Sequence, residues 1–182
     1  EILAEKTGLN HTFYVTTIEE EREGDHLAEY GHAVLSRWPV GEVDSYDFDQ
    51  YLDEPRRAVL LRVDAPDGPF FVLSVHLSHL PDERETHGGQ LLDILDALHG
   101  LDGPLFVVGD LNETPGGQPW MEELEERLVD ACPGGLPTYP AEEPEKRIDY
   151  ILANEGRWLD CRVLDELTAS DHRPVVAQWR AE

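Results

Sequence analysis

Residues 105–112 read LFVVGDLN, four apolar residues followed at once by glycine, aspartate, leucine and asparagine. A short apolar run that ends in turn-forming residues is typical of a buried strand followed by a loop. Asp110 and Asn112 therefore lie at the end of a core strand, where an unpaired polar group is costly to bury. Such groups are retained where they are paired or bind a ligand.

Three other apolar segments carry polar residues in the same way. His76 lies at the end of a strand-like run in SVHLSH, and Asp149 lies inside the apolar RIDYILA. Asp171 and His172 directly precede RPVVAQW, a third strand-like run. Together with LFVVGDLN, these segments indicate that several strand ends converge on one polar cleft.

Each segment also has an ordinary structural interpretation. His76 alone would be a hydrogen-bonded structural histidine, and GDLN alone would be a tight turn. Asp149 would be an edge-strand aspartate facing water, and Asp171 with His172 would form a capped loop. The functional interpretation rests on the four segments occurring together. The connecting histidines His79 and His87 are predicted to lie at the surface, with a position lining the cleft as the alternative for His79.

The rest of the chain mixes strands and helices. RRAVLLRVD (56–64) and PFFVLSVHL (69–77) are joined by the turn-forming APDG and predict an antiparallel hairpin. Leucines at helical spacing predict a helix within 81–100, and QPWMEELEERL predicts a second. The polar segment 18–30 is predicted to be a loop. Because there is no regular βαβ alternation, we expect an α+β sandwich with mainly antiparallel sheets, in a single domain spanning residues 1–182.

Charge sets this sequence apart. It has 39 acidic against 14 basic residues and a net charge of -25, and Lys6 and Lys146 are its only lysines. Such a surface repels nucleic acid and anionic membranes at low salt, although a bound divalent cation can invert the local field. An acidic, lysine-poor surface suits a cytoplasm rich in salt, so we expect a halophilic source. A merely acidic protein is the alternative.

Cys132 and Cys161 are too few for a disulfide framework and lack the spacing of a zinc site. They are interpreted as ordinary buried thiols, with a single disulfide as the alternative. No apolar run approaches the roughly 20 residues that span a bilayer. We therefore expect a cytoplasmic protein with no stable membrane association. The oligomeric state cannot be read from the sequence.

Taken in order, VHL, GDLN, RIDYI and SDHRP resemble the motifs of the endonuclease/exonuclease/phosphatase superfamily of DNase I-like hydrolases. GHAVLSRWP also resembles a strand of that family, with His32 where asparagine is usual. The resemblance implies a four-layer α/β sandwich with two mainly antiparallel central sheets. It also implies hydrolysis of a phosphodiester or phosphomonoester by water, assisted by Mg²⁺ or Mn²⁺.

The resemblance further implies a role for each matching residue. Asp110 would orient and deprotonate the attacking water and contact the metal, while Asn112 would hold the water or a phosphate oxygen. Asp171 would bind the metal. His172 would contact the phosphoryl oxygens, with Asp149 as its carboxylate partner.

Two further residues are assigned to the phosphate group by the same resemblance. His76 would be a second phosphate contact or a proton donor to the leaving group. Arg57, or alternatively Arg56, would neutralise phosphate charge. The substrate stays open between a nucleic acid and a small phosphorylated molecule, so nuclease, phosphatase and lipid phosphodiesterase are all compatible.

One part of the family pattern has no match. The family begins with a strand bearing an asparagine and a later strand bearing a metal-binding glutamate, whereas residues 1–10 fit neither. We therefore expect the chain to be N-terminally truncated relative to that family. One alternative is a catalytically inactive homologue acting as a binding or scaffold domain. Another is an unrelated acidic sandwich that binds Ca²⁺ structurally.

Overall fold

The computed structural model describes residues 2–22, 26–49 and 54–181. Three helices and ten strands lie in this part of the chain. The helices are α1 (Ile2–Thr7), α2 (Pro81–Ala97) and α3 (Pro119–Arg127). The strands are β1 (His11–Arg22), β2 (His26–Ser36), β3 (Val40–Asp47), β4 (Arg57–Ala65), β5 (Gly68–His76), β6 (Leu105–Asp110), β7 (Val129–Asp130), β8 (Asp149–Ala153), β9 (Arg157–Val163) and β10 (Val175–Arg180).

A six-stranded sheet in the order β3-β4-β5-β6-β8-β7 forms the centre of the molecule. Its neighbouring strands are antiparallel, apart from the parallel pair β5 and β6. The hairpin predicted for the two RRAVLLRVD and PFFVLSVHL runs is present as β4 and β5. Helices α2 and α3 cover one face of this sheet, where Leu91 and Leu124 are fully buried among Leu73 and Val107.

The opposite face packs against a second β layer. This layer consists of two two-stranded sheets, β1-β2 and β9-β10. Side chains alternate between the faces of a strand, so Phe106 points away from the helices that cover Leu105. The Phe106 ring packs edge-on against Trp158 and Trp179, at centroid distances of 6.0 and 5.1 Å. An apolar cavity of about 690 Å³ remains on this face beside the three rings.

Two local predictions were wrong. Residues 18–30 were expected to be a loop, but β1 continues to Arg22 and β2 begins at His26, while residues 23–25 lie outside the described residues. Strand β3 was not predicted at all. Backbone pairing in an exposed ribbon or edge strand does not require apolar side chains, so acidic composition alone is a poor guide to a loop.

The prediction that the two cysteines are ordinary buried thiols was also wrong. Cys132 and Cys161 form a disulfide, with Cα atoms 5.4 Å apart, and it joins β9 to the segment after β7. Disulfides persist mainly in oxidising compartments, so this bond does not favour the predicted cytoplasmic location, which stays a prediction. None of the helices in the described residues has both the length and the apolar character needed to cross a bilayer.

Candidate functional site

Three of the predicted site residues form a row across the central sheet. His76 at the end of β5 is in register with Asp110 at the end of β6, and Asp110 is in register with Asp149 on β8. Residues in register on neighbouring strands project from the same face. The sheet topology therefore brings together three residues that are far apart in the sequence.

His172 completes this cluster from the loop between β9 and β10. Its Nδ1 atom lies 2.8 Å from Asp149 Oδ2, and its Nε2 atom lies 3.9 Å from Asp110 Oδ2. The Tyr139 ring packs against the imidazole at a centroid distance of 4.8 Å. A backbone hydrogen bond from the Arg173 N–H to the Thr138 carbonyl joins the neighbouring segments. These contacts hold the histidine over the row of carboxylates.

The charges of Asp110 and His172 depend on each other and on Asp149. Burial raises the pKa of Asp110 to about 6; the Asn112 backbone N–H opposes this shift, and the charge of Asp149 adds to it. Burial alone would lower the pKa of His172, but its hydrogen bond to Asp149 and the surrounding carboxylates raise that pKa overall. Near neutral pH the geometry therefore favours an ionised Asp110 beside an imidazolium.

The GDLN turn is shaped by close backbone approach. Gly109 has φ +141°, and a Cβ atom there would collide with the carbonyl oxygen of Val75 on the neighbouring strand. The Asn112 backbone N–H donates to Asp110 Oδ1 at 2.8 Å, and its side-chain amide donates to Leu77 O at 3.0 Å. Asn112 thus orients the Asp110 carboxylate and ties the loop after β6 to the loop after β5.

His76 is held as a neutral imidazole. Burial, followed by the charge of Arg56, lowers its pKa to about 3. Arg56 Nη1 lies 3.0 and 2.9 Å from its two ring nitrogens, and the Tyr30 hydroxyl lies 2.9 Å from Nδ1. Its Nε2 atom is 3.5 Å from Asp110 Oδ2. A neutral ring in this position is suited to a hydrogen-bonding contact rather than to proton donation as an imidazolium.

The two neighbouring arginines differ in position. The Arg57 side chain, first choice for a phosphate contact, donates from Nε to Asp47 Oδ1 on β3 at 2.6 Å. Arg56, the alternative, is buried and contacts His76. Arg56 therefore contacts the row of site residues directly at His76, while Arg57 Nε pairs with Asp47.

A possible metal site overlaps this cluster. One ligand atom each from Asp110, Asp149 and His172 lies within 4.8 Å of the others. Asp171 was expected to bind the metal, but it is exposed and is not part of this group. Its backbone carbonyl accepts a hydrogen bond from Ala141 instead. Metal binding by Asp171 stays a prediction, and the group of ligand atoms that lie close together contains Asp149 in addition to Asp110.

A buried ion pair beneath the site was not anticipated. Arg84 on α2 donates from Nε to Glu113 Oε2 at 2.9 Å, and both side chains are about one-tenth exposed or less. Its Nη1 atom also donates to the carbonyls of Ser78 and His79. Arg84 therefore links the loop after β5 to the loop after β6. A single charged residue in each of two distant segments gives no sequence signal of this pairing.

A buried histidine lies beside this ion pair. His87 is 1% exposed, so the prediction of a surface position was wrong. Its Nδ1 atom accepts a hydrogen bond from the Ser78 N–H, and its Nε2 atom bonds to Asp49 O at 2.6 Å. The His87 ring thus holds the backbone of the loop that follows His76 against the segment at Asp49.

The sandwich and its row of acidic and histidine residues define a DNase I-like hydrolase fold, and comparisons with known proteins agree. A profile of the Endonuclease/Exonuclease/phosphatase family matches residues 3–172, so the chain belongs to that family. An endonuclease/exonuclease/phosphatase from Beutenbergia cavernae is 26% identical with a TM-score of 0.75; the match covers 99% of this chain and 56% of that one. The DNase I-like fold predicted from the sequence is confirmed.

Other solved structures show the same fold at lower identity. A functionally unknown conserved protein from Enterococcus faecalis is 23% identical with a TM-score of 0.67, and the match covers 93% of this chain and 77% of that one. A mannosyl-6-phosphatase from Bacteroides thetaiotaomicron is 18% identical with a TM-score of 0.71. The match covers 96% of this chain and 79% of that one. No curated protein matches the chain significantly.

Proposed function

We propose that this chain hydrolyses phosphoesters with the help of a divalent cation, Mg²⁺ or Mn²⁺. Family membership supports phosphoester hydrolysis in general. The observation that carries the proposal for this chain is the cluster of Asp110, Asp149 and His172, with ligand atoms within 4.8 Å of one another. A phosphoester repels an attacking oxygen anion, so catalysis at such a site depends on positioned charge.

The donor set of the cluster fits a hard cation. Carboxylate oxygens are the ligands that Mg²⁺ and Mn²⁺ prefer, and Mg²⁺ typically takes one or two of them. Asp110 and Asp149 would hold the ion, while His172 is already hydrogen-bonded to Asp149. When bound, the cation would offset negative charge on the phosphoryl oxygens.

The residues of the cluster have distinct tasks in this proposal. Asp110, once ionised, accepts a proton from the attacking water, and the Asn112 N–H keeps its carboxylate oriented. His172, held as an imidazolium by Asp149, donates a hydrogen bond from Nε2 to the phosphoryl group. His76 is a neutral second contact, and Arg56 supplies positive charge behind it.

A small phosphorylated molecule is favoured over nucleic acid as the substrate. With a net charge of -25, the chain lacks the basic surface on which sequence-independent nucleic-acid binding depends. A mannosyl-6-phosphatase is among the structural neighbours, which is compatible with a small sugar phosphate but shows only a shared fold. A catalytically inactive binding domain remains the alternative function.

The test is hydrolysis of bis(p-nitrophenyl) phosphate and p-nitrophenyl phosphate in concentrated KCl. Turnover is expected with Mg²⁺ or Mn²⁺, and it should vanish with EDTA and in Asp110→Ala. Asp93→Ala, which changes an exposed aspartate on α2, serves as the matched control and should retain full activity. A soluble, folded chain without turnover on either ester would favour the inactive binding domain.

A further inference from the structure

A small cavity with several polar residues in its lining lies beside His76. It has a volume of about 60 Å³ and lies between β1, β2 and the start of β4. Its polar lining comprises Thr17, Tyr30, His32, Arg56, Arg57 and His76. His76 thus belongs both to this cavity and to the row that contains Asp110.

Two hydrogen-bond donors in this lining have no partner among the described residues. They are Arg56 Nε and Thr17 Oγ1, and both atoms are buried. The Arg56 side chain is 5% exposed, and its other nitrogens are occupied by Glu54 and His76. A buried donor without a partner is costly, so native structures usually supply an acceptor such as a ligand or ordered water.

The position of Thr17 is itself unusual. The register of the β1–β2 ladder shifts between Thr16 and Ile18, which makes Thr17 the extra residue of a β-bulge. Bulges interrupt the alternation of a strand and re-aim a side chain, often next to a functional site. The bulge accounts for a hydroxyl in the cavity lining.

Two arginines, Arg56 and Arg57, are among the residues that line the cavity. Both arginines are also paired with a carboxylate, Arg56 with Glu54 and Arg57 with Asp47. Their charges add to burial in lowering the pKa of His32. The carboxylate of Glu54 pairs with Arg56 from a half-exposed position. The unpartnered N–H of Arg56 Nε belongs to a charged group, and together with the Thr17 hydroxyl it favours an acceptor that carries negative charge.

The volume of the cavity limits which anions it can hold. About 10–15 Å³ of cavity accommodates one water, so this cavity holds roughly four water-sized groups. A tetrahedral phosphate has four oxygens in such a volume. We propose that the cavity is a subsite for a phosphate group beside the site of hydrolysis. The inference rests on the proposed function at one point: we expect the phosphate in the subsite to be the second phosphate group of a substrate that carries two.

Binding of inorganic phosphate tests the subsite without any turnover. The chain is treated with chelator and desalted, and phosphate affinity is measured by isothermal titration calorimetry. Thr17→Val removes only the hydroxyl and is expected to weaken binding about tenfold, the loss of one hydrogen bond to a charged group. Thr17→Ser should restore affinity, and Thr12→Val, an exposed threonine on the same strand, should leave it unchanged.

Equal phosphate affinity in the wild type and in Thr17→Val would overturn the subsite, whatever the enzyme hydrolyses.

A second measurement, made on the metal-loaded enzyme, distinguishes a phosphate group of the substrate from free phosphate as the occupant of the subsite. If the substrate supplies it, Thr17→Val raises KM for a sugar bisphosphate and not for the matching monophosphate. If free phosphate occupies the subsite, Thr17→Val weakens phosphate inhibition and leaves both KM values unchanged. Absence of turnover would count against the proposed function alone.

Discussion

Asp110 on β6 stands directly opposite Asp149 on β8 in the antiparallel ladder. Backbone pairing holds the two carboxylates in one cleft, where the negative charge of Asp149 adds to burial in raising the pKa of Asp110. Two partly buried like charges at such a position destabilise each other. A divalent cation bound by both would remove this repulsion.

Mg²⁺ or Mn²⁺ is therefore expected to stabilise the folded chain. At about 100 times its Kd, a ligand specific for the native state adds about 2.7 kcal/mol. For a chain of this size, that corresponds to a rise in Tm of about 5–10 °C. Calorimetry should show the rise in the wild type and in Asp93→Asn, and a much smaller rise in Asp149→Asn. Identical Tm values with and without cations would contradict the metal site.

His172 and Asp149 are expected to act as one unit. His172→Ala and Asp149→Asn should each lower kcat about 10²- to 10³-fold, the range for loss of a hydrogen-bond donor to the charge that develops in the transition state. Because one role of Asp149 is to hold the imidazole and the other is to bind the cation, the two losses should be less than additive in the double variant. Steady-state kinetics of the four proteins form the test. Fully additive losses would show that the two residues act independently.

The buried pair of Arg84 and Glu113 should matter for both stability and activity. Arg84→Met leaves an uncompensated buried carboxylate and is expected to cost about 3–5 kcal/mol. Arg84→Met combined with Glu113→Gln should be less destabilised, because the orphaned charge is gone. Arg127→Met removes a pair at a partly exposed position and should cost about 1 kcal/mol or less. Urea unfolding checks these values, and equal costs for Arg84→Met and Arg127→Met would refute the role of the pair.

Loss of stability in mild acid is expected from His87. Burial lowers its pKa from the ordinary 6.5; the Asp49 carbonyl and the charges of Glu83 and Asp49 raise it, while Arg56 lowers it. A lowered pKa means that the unfolded state binds the proton more readily. The stability linked to the neutral ring is therefore complete above 6.5 and declines as the pH falls below it.

The measurement is urea unfolding between mildly alkaline and mildly acidic pH. His87→Gln should lose less stability than the wild type over this range, since it cannot take up the proton. His99→Gln, which changes an exposed histidine, should follow the wild type. A His87→Gln profile parallel to that of the wild type would exclude this histidine as a source of acid sensitivity.

Salt should stabilise the chain. At a net charge of -25, repulsion between carboxylates opposes the compact state, and molar KCl screens it. Tm should therefore rise from dilute buffer to concentrated KCl. An unchanged Tm would remove the argument for a halophilic source.

The general position of the site could be predicted from the sequence because polar residues interrupt apolar runs. His76, Asp110 and Asp149 follow or enter strands, and sheet pairing then brings strand ends together. The sequence alone could not show which of the adjacent Arg56 and Arg57 contacts His76. A one-residue difference of this kind depends on register, which a single sequence does not reveal.

Other features depended on contacts between distant segments. His87 resembles a surface helix residue by composition, and only the packing of Asp49 and Ser78 against it shows that it is buried. Asp171 is adjacent to His172 in the sequence, yet its side chain is exposed outside the cluster. Neighbouring positions in a loop can differ completely in environment, since no regular backbone periodicity relates them.

The disulfide between Cys132 and Cys161 has a consequence for the unfolded chain. It closes a ring of about 30 residues that contains Asp149 but not His172. By the chain-entropy estimate, a ring of this size adds about 3–4 kcal/mol to stability by restricting the denatured ensemble. The free energy of unfolding of a whole domain is typically about 5–15 kcal/mol, so this contribution is a large share of it. The stability of the fold thus depends on the redox state of its surroundings. The same sequence would have a lower Tm wherever its thiols are kept reduced.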